Sequence, residues 1–133
     1  MNRFYESVAQ VLEVDEVGFD TRFRQTPGWS SLQAFGILVL MENDWGAPMD
    51  IVRLKGMETV GDLCCEAFVA FAASLFGVDR ASLSPDSACG SIPEWDSVNH
   101  LRLVMEAEKR FGTGYSLEII PSLRTLRDFA ALS

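Results

Sequence analysis

Two serines in this chain follow a tryptophan at the same offset, and each lies where a helix is predicted to begin. The segments are Trp95-Asp96-Ser97-Val98 and, 66 residues earlier, Trp29-Ser30-Ser31-Leu32. An apolar-periodic stretch follows each serine, which predicts a hydroxyl at a helix N-terminus. Unpaired N–H groups and the helix dipole stabilise negative charge there by roughly 0.3–1 kcal/mol. A serine hydroxyl in this position can therefore carry a group joined through phosphate.

The 66-residue offset holds well beyond the two serines. The other matched pairs are Glu42 with Glu108, Trp45 with Phe111, Gly46 with Gly112, Thr59 with Thr125, and Asp62 with Asp128. A repeat of this length predicts two tandem copies of one small domain. We place the two units at residues 1–63 and 64–133.

Each unit resembles the acyl carrier and peptidyl carrier family, and the resemblance covers nearly the whole chain. The matching residues of the second unit are Asp96-Ser97-Val98, Leu101, Leu103-Val104-Met105, Glu108, Phe111, Tyr115, Ile120, Leu123 and Thr125-Leu126. The resemblance implies an all-α fold made of two consecutive four-helix bundles. It also implies a covalent 4′-phosphopantetheine arm, taken from coenzyme A, on Ser97.

The first unit departs from the family pattern beside its serine. The resemblance implies that Asp96 helps to position the metal and coenzyme A while Ser97 is loaded, but Ser30 stands at the corresponding place before Ser31. Serine caps a helix about as well as aspartate, so the fold does not require the carboxylate. Ser31 is then either a second attachment site or a former site that no longer carries an arm, in a copy kept for packing. The plainer interpretation of Asp96-Ser97 is a helix cap without further chemistry.

Apolar side chains follow each serine at helical spacing. The resemblance implies that one face of each helix contacts partner enzymes, although such spacing is more often typical of a buried core. The predicted partner-binding residues are Val98, Leu101 and Met105 in the second unit, and Leu32, Phe35 and Val39 in the first. The residues predicted to face the core are Leu103, Val104, Ala107 and Phe111.

Hydrophobic periodicity and capping residues predict the elements that position these side chains. The segments are a helix over 2–13, a helix over 32–44, a short turn over 51–55, a helix over 59–76, a helix over 97–110, a short segment over 117–120 and a helix over 125–132. The helix over 59–76 has apolar residues on all sides, Phe71 among them, which is typical of burial on most faces. We expect both units to share it; the alternative is a break near Cys64.

Composition narrows the classes of function. The net charge is −8, which argues against nucleic acid and anionic membranes as partners. Three cysteines without a C-x-x-C pair predict neither a disulfide framework nor a metal site. With no signal peptide and no apolar run long enough to span a bilayer, we expect a cytoplasmic protein.

The expected function is that of a tandem carrier rather than an enzyme. His100 lacks a paired nucleophile or carboxylate and is interpreted as a solvated helix residue, so no catalytic residues are predicted. A carrier holds acyl or aminoacyl intermediates as thioesters for fatty-acid, polyketide, peptide or related biosynthesis. Its partners would be a phosphopantetheinyl transferase and enzymes that load and transfer the cargo. The alternative is a non-catalytic interaction module in which one or both serines stay unmodified.

Overall fold

The computed structural model describes residues 2–133. Their regular secondary structure is helical, and they contain no β-strand. The predicted all-α class is confirmed. The helices are α1 (Arg3–Leu12), α2 (Ser31–Asn43), α3 (Ile51–Lys55), α4 (Val60–Phe76), α5 (Ser97–Phe111) and α6 (Leu126–Leu132). Among these residues, no helix combines the length and the apolar character needed to cross a membrane.

The observed helices begin and end within one residue of the predicted bounds. Thr59 and Asp62 form a reciprocal capping box at the start of α4, and Thr125 and Asp128 form another at the start of α6. The predicted short segment over 117–120 differs, because the chain there forms a single 3₁₀ turn over Ile120–Ser122. Pro121 lies within that turn and has no N–H for an α-helical bond.

Helix α4 runs without interruption for 17 residues through the predicted segment over 59–76. Ten of its residues from Leu63 to Ala73 are buried. The prediction for Phe71 was wrong in part: its ring is only half-buried, under the guanidinium of Arg110. A capping box and an apolar surface on nearly every side account for this long central helix.

One charged residue is buried in α4. The carboxylate of Glu66 is 3% exposed and accepts hydrogen bonds from Arg53 in α3 and from Arg80 in the loop after α4. The distance from Arg53 Nη2 to Glu66 Oε2 is 2.8 Å. Because a buried carboxylate is costly unless it is paired, Glu66 fixes α3 and the loop after α4 against the central helix.

The backbone hydrogen bonds repeat at the 66-residue offset. The N–H of Val60 donates to Thr21 O, and the N–H of Leu126 donates to Ser87 O. The isolated β-bridges recur as well, Arg22 with Thr59 and Ala88 with Thr125. The sequence repeat therefore has a counterpart in the fold.

The buried side chains of both halves form one continuous core. Phe111 lies at its centre: its ring stacks on Phe68 at 4.3 Å between centroids and on Trp45 at 4.9 Å. It also contacts Phe4 of α1 at 6.3 Å. Residues from three helices and from the loop after α2 meet at this ring, so the halves share their buried surface.

Helix α1 also lies beside α6. Asn2 caps α1 through its side-chain oxygen and donates from Nδ2 to the hydroxyl of Ser133, at 2.8 Å. Tyr5 donates its hydroxyl to the carbonyl of Ala130 at 3.3 Å. The first and last described residues of the chain are thus hydrogen-bonded neighbours.

Candidate functional site

Ser97 is the first residue of α5, and its side chain is exposed. Asp96 is the N-cap, and its Oδ1 accepts from the N–H of Asn99 at 2.9 Å. Behind them Trp95 is completely buried and contacts Phe76 at 5.3 Å. The buried tryptophan anchors the loop, and the serine hydroxyl stays open to solvent at the positive end of a 15-residue helix.

Ser31 occupies the equivalent position at the start of α2 and is also exposed. Its N-cap is Ser30, whose hydroxyl accepts from the N–H of Leu32 at 3.2 Å and donates to Gln33 Oε1. A serine thus replaces aspartate as the cap, with the helix start unchanged. The carboxylate is the feature that this copy lacks.

The six predicted partner-binding side chains all lie on the surface, next to the two serines. Their exposed fractions are 68% for Val98, 58% for Leu101, 67% for Met105, 75% for Leu32, 65% for Phe35 and 38% for Val39. The four residues predicted to face the core, Leu103, Val104, Ala107 and Phe111, are buried. An apolar stripe that remains exposed is what a protein partner would cover.

A groove of about 530 Å³ opens beside Ser31, between α2 and α3. Its apolar lining includes Trp29, Phe35, Leu38 and Leu54, with Ser30 and Ser31 at one end. A groove of this size is within the range of small-molecule sites, roughly 300–1,000 Å³. The groove gives the first copy a cavity that includes its serine.

The equivalent groove of the second copy, about 480 Å³, is lined in part by His100, Ile120 and Pro121 but not by Ser97. His100 stands at the position of Ala34, and its larger ring packs beside Trp95 instead of leaving the space open. The two serines are thus alike in exposure and in helix position. They differ in the cavity next to them.

The interpretation of His100 as a solvated residue was wrong. Its Nδ1 accepts a hydrogen bond from Trp95 Nε1 at 3.0 Å, and its ring meets that of Phe129 edge to face at 5.6 Å. Burial lowers the pKa of His100 below its ordinary 6.5, and a hydrogen bond with the Leu123 backbone opposes this change. The histidine is a neutral packing residue that supports the start of α5.

The remaining groups of possible chemical interest do not converge on a site. Cys64 and Cys65 are buried in α4, whereas Cys89 is exposed. Burial raises the pKa of Cys65 to about 11, so its thiol stays protonated near neutral pH. Within residues 2–133, no cluster of three or more histidine, cysteine or acidic side chains is arranged to hold a metal ion.

Sequence reasoning missed the groove beside Ser31, the burial of Glu66 and the packing of His100 on Trp95 and Phe129. Leu54 and Lys55 were predicted to lie in a short turn over 51–55, but nothing in their spacing shows that they face α2. Comparisons of the chain with known protein families, with curated proteins and with solved structures gave no match.

Proposed function

We propose that this protein is a tandem carrier that holds acyl or aminoacyl groups as thioesters on 4′-phosphopantetheine attached to Ser97 and Ser31. The observation that supports it most is the paired geometry of the serines. Each is exposed at the first residue of a long helix, with a tryptophan two residues earlier and an exposed apolar stripe after it. Helix N-terminal N–H groups favour the phosphodiester that such an arm requires.

The protein's own part in this function is attachment and recognition. The exposed hydroxyl accepts the arm, and the stripes of α2 and α5 offer apolar area to the transferase and to the enzymes that load and transfer cargo. The thiol of the arm supplies the reactive chemistry. The recurrence of backbone hydrogen bonds at the 66-residue offset supports two carrier units that share α4.

Intact mass after incubation with coenzyme A and a broad-specificity phosphopantetheinyl transferase tests the proposal. Two added arms are expected for the wild type, one for Ser97→Ala and one for Ser31→Ala. Ser97→Ala should keep the helicity and melting temperature of the wild type, because Asp96 still caps α5. A single arm would reduce the proposal to one carrier site. No arm, in a reaction that labels a known carrier, would favour the interaction module.

A further inference from the structure

The groove beside Ser31 has a charge pattern that stands out in an acidic protein. Arg24 and Lys55 lie in its lining, and none of the ten lining residues is acidic. The chain as a whole has 19 acidic and 11 basic residues. Among the described residues, neither Arg24 nor Lys55 takes part in a salt bridge. The groove therefore combines an apolar floor with cations that have no protein counter-ion.

Local contacts hold one of these cations in place. Arg24 Nη1 donates to the carbonyl of Leu54 at 3.1 Å, and its guanidinium lies over the ring of Phe23, 5.1 Å from the centroid. The side chain is thus held against α3 with further N–H donors available for an anion. The N-terminus of α2, where Ser31 lines the groove, adds further positive potential.

Arg24 and Lys55 have no basic counterparts in the second copy. At the 66-residue offset, Gly90 replaces Arg24 and Pro121 replaces Lys55. His100 stands where Ala34 leaves the groove open. The equivalent second groove lacks both charges at these positions and has one cation, Arg124, in its lining. The pair of cations is therefore not a general consequence of the fold.

We propose that this groove binds a single-chain amphiphile with an anionic head, the chain lying on Phe35, Leu38 and Leu54 and the head between Arg24 and Lys55. The match of an apolar floor with two cations in the same lining indicates this class of ligand. A neutral ligand would not pair with the cations. A hydrophilic anion would leave the apolar floor of the groove exposed to water. The binding is non-covalent and does not require a modified Ser31.

Decanoate and decanol, below the concentrations at which they aggregate, are suitable probes for the unmodified protein. Isothermal titration should show saturable binding of one decanoate per chain and weaker binding of decanol. Lys55→Gln and Arg24→Gln should each weaken decanoate affinity about two- to fivefold, as for a partly exposed charge pair, without changing that of decanol. Lys109→Gln, which removes an exposed lysine of α5, should leave both unchanged.

Two further variants distinguish this proposal from the carrier function. Phe35→Asp, at an exposed position, should abolish decanoate binding, whereas Ser31→Ala should retain it. Equal affinity for decanoate and decanol, or decanoate binding unaffected by Lys55→Gln and Arg24→Gln, would overturn the proposal. Binding to phosphatidylglycerol vesicles without binding of monomeric decanoate would also overturn it and indicate a membrane surface instead. None of these results depends on whether a transferase labels the protein.

Discussion

At the scale of single residues, the two copies differ most beside their serines. Asp96 and Ser30 both cap a helix, so the start of α5 and the start of α2 have the same form. Only Asp96 adds a carboxylate next to the hydroxyl. The fold does not require this carboxylate. Under the proposed carrier function the difference would affect loading of the serine, which can be tested by restoring the carboxylate.

Ser30→Asp should accelerate loading of Ser31. In the wild type, Ser31 should gain the arm more slowly than Ser97, because the transferase finds no neighbouring carboxylate there. The measurement is the rate of arm addition at each serine, followed by mass spectrometry of the peptides that contain them. Ser30→Asn is the matched control, since asparagine caps as well but brings no charge. Equal rates for wild type and Ser30→Asp would show that another feature limits Ser31.

His100 should make the protein less stable as the pH falls below about 6.5. Its pKa is lowered in the folded state, so between the folded and unfolded values the unfolded chain binds more protons. Above the pKa that His100 has in the unfolded chain, the neutral histidine makes its full contribution to the free energy of unfolding. That contribution decreases as the pH falls towards the lower pKa of the folded state. Protonation also places an N–H on Nδ1, facing the Trp95 donor.

Urea unfolding at pH 7.5 and pH 5.5 measures this effect. The wild type should lose stability over this interval, and His100→Gln should lose distinctly less. The same pH dependence in both proteins would show that other groups are responsible.

At the scale of elements, helix ends and helix faces could be predicted from the sequence, because caps and 3.6-residue periodicity are local properties. Spacing places Val98, Leu101 and Met105 on one face in this way, but the expectation that this face is exposed came from the family resemblance. Glu66 could not be assigned, since its partners Arg53 and Arg80 come from separate segments. The groove beside Ser31 was missed for the same reason: its walls come from different elements.

Gly61 in the first turn of α4 should not tolerate a side chain. A Cβ there would lie 2.6 Å from the carbonyl oxygen of Phe19 and 2.8 Å from its ring. The Gly61 N–H also donates to that carbonyl at 2.8 Å, so Phe19 cannot move away without losing the bond. Gly61→Ala should therefore destabilise the protein by about 1–3 kcal/mol, despite the better helix propensity of alanine.

Urea denaturation tests this expectation, with Gly18→Ala as the control. No atom would lie within 4 Å of a Cβ at Gly18, so its effect should stay within about 0.5 kcal/mol. If Gly61→Ala were more stable than the wild type, the close packing of Phe19 on α4 would be contradicted.

At the scale of the whole molecule, the halves should unfold as one cooperative unit because they share α4 and a single core. Phe68 is completely buried and its ring stacks on Phe111, so Phe68→Ala should cost about 3–5 kcal/mol. Thermal unfolding followed by NMR signals from residues 1–63 and 64–133 should show both halves melting together at a lower temperature.

Phe35→Ala is the control for Phe68→Ala, because its ring is 65% exposed and its removal should change the melting temperature little. Two resolved transitions, or a well-folded monomeric fragment of residues 1–63, would show that the halves are independent.

The hydrogen bond between Asn2 and Ser133 has a consequence for the connectivity of the chain. At the 66-residue offset, residues 60–66 of α4 correspond to 126–132 of α6, and residues 69–76 correspond to 3–10 of α1. Helix α6 followed in space by α1 is thus the counterpart of unbroken α4. The fold therefore approaches a closed ring with twofold pseudosymmetry. Trp45 and Phe111 are equivalent residues of the two copies, and a twofold axis brings such residues into contact, as in their stacked rings. A circular permutant that joins residue 133 to residue 2 and opens at the exposed Asp15–Glu16 loop should keep the native packing.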